Sequence, residues 1–235
     1  MLSNQARERV KKAFEPIPVA LGRVGLTPDA LTVIGFGITV VGAWLLGQQL
    51  WLAGGVVVLL GGIFDMFDGT LARATGRVSR WGAFLDSTLD KGGEIIVYVG
   101  LVAGLQQVGY LDAPVYAVAA LGASVMVSYT RARAEGLGFS AGSGMAAIGI
   151  MPREVRLVVL TVGLMLAGLL GTSPDTGGCT DCAGGAALPL GMLVIFATLG
   201  VIAIGATATT VQRIIHVHRQ ASVPAERRPS EQERS

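Results

Sequence analysis

Residues 65–90 read DMFDGTLARATGRVSRWGAFLDSTLD, which places four aspartates, Asp65, Asp68, Asp86 and Asp90, in a chain otherwise built for lipid. An acidic side chain in the hydrocarbon of a bilayer costs about 2.5 kcal/mol or more. Four of them in two apolar stretches therefore imply compensation by cations, and bound metal is the obvious source. Asp65 and Asp68 are i and i+3, and Asp86 and Asp90 are i and i+4, so on helices each pair shares one face. If the two helices are antiparallel neighbours across the basic loop 74–81, both pairs meet at one depth. Oxygen-only ligation with no His or Cys suits Mg²⁺ or Mn²⁺, and two ions fit four acids better than one.

Outward from this stretch the chain is apolar. Of its 235 residues 51% are hydrophobic and 14% charged, and its mean hydropathy is +0.60, against about 25% charged residues in soluble domains. The fold class expected is all-α integral membrane. Six apolar runs, roughly 30–46, 51–67, 83–105, 113–129, 155–170 and 188–210, approach the ~20 residues needed to span a bilayer. The loops after runs one, three and five contain none of the 18 Lys and Arg residues. By the positive-inside rule both termini and the mouth of the acidic cluster are then cytoplasmic, in a plasma (inner) membrane.

The chain divides into an amphipathic juxtamembrane helix over residues 1–22, a six-span domain over 23–215 and a disordered cytoplasmic tail over 216–235. Arg7, Arg9, Lys11 and Lys12 alternate with Val10, Ala13 and Phe14 in the first of these, as suits a helix lying among anionic headgroups. No cleavable signal is expected before Pro16. Cys179 and Cys182, in a glycine-rich outer loop, are read as a local disulfide or idle thiols without a functional role. No nucleic-acid partner is expected.

Beyond the acids, Gly69 and Ala72 leave a hollow on the helix carrying Asp68, and Arg73 supplies a fork-shaped cation suited to phosphate. Gly82 gives the same clearance from the facing helix. Together they describe a diphosphate seat, although glycines in membrane helices also serve close packing. Arg131 and Arg133 end the fourth run, Arg153 and Arg156 begin the fifth, and Arg213 closes the sixth. Paired at the ends of apolar runs rather than scattered in a tail, Arg131, Arg133, Arg153 and Arg156 fit simple positive-inside anchoring poorly.

The spacing D-x-x-D-G-x-x-A-R-x(8)-G-x-x-x-D-x-x-x-D resembles the signature of the CDP-alcohol phosphotransferases, as does the arrangement of the whole chain. That resemblance implies transfer of a phosphatidyl group from a CDP-linked lipid such as CDP-diacylglycerol to an alcohol, with release of CMP. It implies that Asp65, Asp68 and Asp86 hold metal, with Asp90 the general base and a further metal ligand. It also implies donor binding by Asp68, Gly69, Ala72, Arg73 and Gly82. Asp29 and Thr32 resemble the family's nucleotide element, though Asp29 or Thr27 is equally an ordinary helix N-cap.

SYTRARAE at 128–135 and GIMPREVRL at 149–157 look like elements of the phosphatidylinositol-phosphate synthases and their archaeal ether-lipid relatives. In those enzymes residues matching Arg131, Arg153 and Arg213 would bind the phosphate of inositol 1-phosphate. Lys91 after Asp90 is instead the pattern of many phosphatidylglycerol-phosphate synthases, which keeps glycerol 3-phosphate as the alternative acceptor. The family is commonly homodimeric. A divalent-cation transporter is the rival class, but the acids and arginines all crowd toward one side and no inverted repeat accompanies them.

Overall fold

The computed structural model describes residues 25–108, 112–139, 148–172 and 188–222. The expected N-terminal amphipathic helix, the cysteine pair and residues 223–235 lie outside them. Among the described residues all regular structure is helical: α1 Pro28–Gly47, α2 Trp51–Ala74, α3 Arg80–Gln106, α4 Ala113–Gly136, α5 Arg153–Leu170 and α6 Leu190–Ala221. The last helix thus runs past residue 215, and the first residues assigned to a disordered tail, 216–221, are helical.

Helix ends follow local chemistry. Thr27 is extended and its hydroxyl accepts from the Ala30 amide at 3.2 Å, while Pro28 occupies the first turn of α1, where a missing N–H is no loss. The turn between α2 and α3 passes through Gly76 at φ +66°, a conformation that side chains with a Cβ resist. Ser79 then caps α3 by accepting from the Gly82 amide at 2.9 Å.

Four helices, α1, α2, α4 and α6, are long and apolar enough to cross a membrane. The other two carry three charges within the length of a span: Asp90, Lys91 and Glu94 fall in every stretch of α3 long enough to span, and α5 opens with Arg153, Glu154 and Arg156. Large apolar side chains such as Trp44, Val115 and Ile204 point outward, Ile204 with 74% exposure, a surface that suits lipid rather than water.

The principal packing contacts close a ring in the order α1, α2, α5, α6, α4, α3 and back to α1. The expectation that α2 and α3 pack as neighbours is corrected: they are not principal contacts of each other, and both lean on α1. Small residues allow that approach. A Cβ on Gly100 would lie 2.0 Å from the Ala43 carbonyl oxygen, and one on Gly104 would lie 2.3 Å from that of Leu46. With α2 and α3 each packed on α1 rather than on each other, Asp65, Asp68 and Asp86 approach one another between the two helices.

Candidate active site

Asp65 and Asp68 from α2 and Asp86 from α3 each offer a carboxylate oxygen, and these oxygens lie within 4.8 Å of one another. Three hard oxygen donors converging from two helices fit a divalent cation of the Mg²⁺ or Mn²⁺ type. Asp68 is only 6% exposed, and the Thr32 hydroxyl of α1 donates to its Oδ2. Thr32, expected at the nucleotide, thus holds a member of the acidic group in place as well.

Asp90, expected among the metal ligands, stands outside this group. Its Oδ2 accepts from Nη1 of Arg153, which also donates to Asp65 Oδ2 at 3.1 Å. Arg153 therefore bridges α2 and α3 across the gap, compensating two carboxylates that are 17% and 15% exposed. The other Asp90 oxygen, Oδ1, is buried without a hydrogen-bond partner. In this state the guanidinium expected at an acceptor phosphate is engaged with the acids.

On one side of the acids lies a cavity of about 300 Å³. Asp29, Thr32, Asp68, Gly69, Ala72, Arg73, Gly82 and Asp86 line it, so the structure brings together every residue expected to bind the donor. Asp29 does not cap α1, since Thr27 does, and its carboxylate faces Gly82, where a Cβ would come within 3.2 Å of Oδ1. A Cβ on Gly69 would meet nothing nearer than the Arg73 guanidinium at 3.5 Å. Gly69 thus borders open space, whereas Gly100 is pressed against another helix. Arg77 and Ser79 also line this cavity; in the sequence neither stands out, since a basic turn and a helix cap are sufficient ordinary explanations of them.

On the other side lies a cavity of about 690 Å³, lined by Asp86, Asp90, Lys91, Arg131, Arg153, Arg156 and Arg213 among others. The three arginines expected at the acceptor phosphate are all present. Arg131 pairs with Glu135 one turn on at 2.9 Å. Arg213 is 3% exposed, and it donates to the Ile148 carbonyl at 3.0 Å and to that of Val127. It therefore ties α4 and the segment before α5 to α6 while bordering the cavity. Arg156 is equally buried and pairs with Glu94 at 2.9 Å. Glu94 does not stand out in the sequence, because the partner that ties it to α5 is 62 residues away. Asp86 borders both of these cavities.

The family model of CDP-alcohol phosphatidyltransferase matches residues 25–196. The archaetidylinositol phosphate synthase of Pyrococcus horikoshii is 40% identical over 162 residues, covering 69% of this chain and 81% of that protein. The phosphatidylinositol phosphate synthase of Streptomyces avermitilis is 31% identical over 226 residues, covering 94% and 84%. Among solved structures, the Mycobacterium tuberculosis phosphatidylinositol phosphate synthase with CDP-DAG bound superposes with a TM-score of 0.70 at 28% identity, covering 93% of this chain and 98% of that one. The same enzyme in complex with manganese and citrate gives 0.69 at 29% identity, covering 91% of each chain. The chain belongs to the CDP-alcohol phosphatidyltransferase family and is a transferase.

Proposed function

We propose that this enzyme transfers the phosphatidyl group of CDP-diacylglycerol, or of an ether-lipid analogue, to inositol 1-phosphate, releasing CMP. One observation carries the reading: Asp86 borders both a cavity lined by the donor motif and a cavity lined by Lys91, Arg131, Arg153, Arg156 and Arg213. A nucleotide diphosphate in the first and a phosphorylated alcohol in the second would meet at the acids. The names of the relatives from Pyrococcus and Streptomyces support the inositol phosphate acceptor.

Arg73 and the open space beside Gly69 and Ala72 seat the diphosphate. Asp65, Asp68 and Asp86 would hold Mg²⁺ or Mn²⁺, two ions by the number of acids nearby, and a bound ion neutralises the diphosphate and the charge developing on leaving CMP. The acceptor hydroxyl attacks the lipid-side phosphorus in line with the departing CMP oxygen. Asp90, which lines the second cavity, takes the hydroxyl proton, while Arg153 orients that carboxylate through Oδ2. The arginines of the second cavity take the acceptor phosphate, with Arg153 exchanging part of its engagement with the acids for the ligand.

All six helices would span the membrane, with the acids and both termini on the cytoplasmic side, and the outward apolar faces would meet lipid or a second copy in a homodimer. The test is an acceptor competition with purified enzyme, CDP-diacylglycerol and Mg²⁺ or Mn²⁺. Inositol 1-phosphate, glycerol 3-phosphate, inositol and serine are offered together and the lipid product is weighed by mass spectrometry. A phosphatidylinositol phosphate product with stoichiometric CMP supports the reading. A phosphatidylglycerol phosphate product transfers it to the glycerol acceptor, and ion movement without CMP release ends it.

A further inference from the structure

Beside the acceptor cavity lies a carboxylate, Glu94, that the reaction above does not use. Glu94, one helical turn beyond Asp90 on α3, accepts at Oε1 from Arg156 Nε at 3.1 Å and Nη2 at 2.9 Å, and its Oε2 pairs with Lys91. Both carboxylate oxygens are therefore spent on cations from two helices. Lys91 and Arg156 line the acceptor cavity. Glu94 does not; it borders a separate cavity of about 60 Å³, which Asp65, Asp90 and Arg156 also line. The carboxylate thus stands behind the wall that the two cations present.

Arg156 extends the linkage. Its Nη1 donates to the Met151 carbonyl at 3.0 Å, and the Met151 amide donates to Thr209 Oγ1 at 3.0 Å. Met151 lies in the turn that delivers Arg153 at the first position of α5. A guanidinium 3% exposed tolerates burial only with its charge compensated and its N–H groups paired. Without Glu94 it would reorient toward the nearest anions, and Lys91 would lose its tether.

We infer that Glu94 is a positioning residue for acceptor specificity: it holds Lys91 and Arg156 in the cavity wall so that their charges face a phosphate monoester on the acceptor. The inference rests on the proposed use of a phosphorylated alcohol. Kinetics of CMP release are measured with inositol 1-phosphate and CDP-diacylglycerol varied in turn, for wild type, Glu94→Gln, Glu94→Asp, Lys91→Gln and the double variant Lys91→Gln/Glu94→Gln. Glu94→Gln is expected to raise the acceptor KM about tenfold while moving the donor KM and kcat by less than about threefold. Glu94→Asp recovers part of the loss. The double variant loses less than the product of the two single effects, since the two side chains act through each other.

Equal effects on donor and acceptor, an unchanged acceptor KM, or full additivity would overturn it. Lys91 is 30% exposed, so its variant remains informative if Glu94→Gln does not fold: an acceptor KM unmoved by Lys91→Gln overturns the inference by itself. Wild type inactive on inositol 1-phosphate, yet active on a neutral alcohol, removes the parent reading and this one with it. Wild type active with Glu94→Gln unmoved removes only this one.

Discussion

The two oxygens of Asp90 differ: Oδ2 accepts from Arg153, while Oδ1 is buried without such a partner. Replacing it by Asn keeps the shape but removes the base, so Asp90→Asn is expected to lower kcat about 100- to 10,000-fold while CDP-diacylglycerol binding, measured by calorimetry in detergent, stays within a few fold. A variant that loses donor binding as well would place Asp90 among the groups that hold the nucleotide. Gly69 offers a complementary probe, because the space a side chain would fill is cavity rather than protein. Gly69→Leu should leave the thermal midpoint near wild type and raise the donor KM more than tenfold, a split that a packing glycine would not produce. The acids and glycines were legible in sequence because i, i+3 and i+4 spacings translate directly into a shared helix face. The pairings of Arg153 with Asp65 and Asp90, of Thr32 with Asp68 and of Glu94 with Arg156 were not, since each joins helices through contacts 36 to 88 residues apart.

Helices are where hydropathy alone reads short. The apolar run assigned to the second span stops at residue 67 and the next begins at 83, whereas α2 continues to Ala74 and α3 starts at Arg80. The motif's charged residues interrupt the apolar signal without interrupting the backbone's hydrogen bonding, so the site lies on helix ends rather than in a loop. Rigid seating follows from the seams beneath it. Gly100 on α3 packs so closely on α1 that Gly100→Leu must push the helices apart; overpacking of this kind costs about 1–3 kcal/mol or more. It should lower the detergent thermal midpoint by several degrees and reduce activity with both substrates alike. The segment before α5 depends in turn on α6, where Thr209 accepts from the Met151 amide and Gly149 adopts φ +122° against the same threonine. Thr209→Val strands a buried amide, a loss of about 1–3 kcal/mol. Because that turn delivers Arg153, acceptor KM is expected to rise before donor KM does, as measured by the same CMP-release assay.

At the scale of the molecule, the ring formed by the six helices of the described residues gathers negative charge between α2 and α3. Three carboxylate oxygens within 4.8 Å repel one another, so a divalent ion should stabilise the folded enzyme in addition to activating it. A hundredfold excess over Kd contributes about 2.7 kcal/mol. Chelation should abolish turnover and lower the thermal midpoint, and added Mg²⁺ or Mn²⁺ should restore both. Asp86→Asn should lose that thermal shift. Asp90→Asn should keep it, because Asp90 lies outside the converging group. The positive-inside pattern carries a further whole-molecule expectation, that the turn after α1 and the end of α6 face opposite sides of the membrane. With Cys179 and Cys182 changed to Ser, single cysteines at the exposed positions Gln48 and Arg219 can be probed in sealed right-side-out vesicles. A membrane-impermeant maleimide should label Gln48→Cys directly and Arg219→Cys only after permeabilisation. Labelling in the reverse order would put the acidic gap outside, away from any cytoplasmic supply of CDP-lipid headgroups and phosphorylated acceptor.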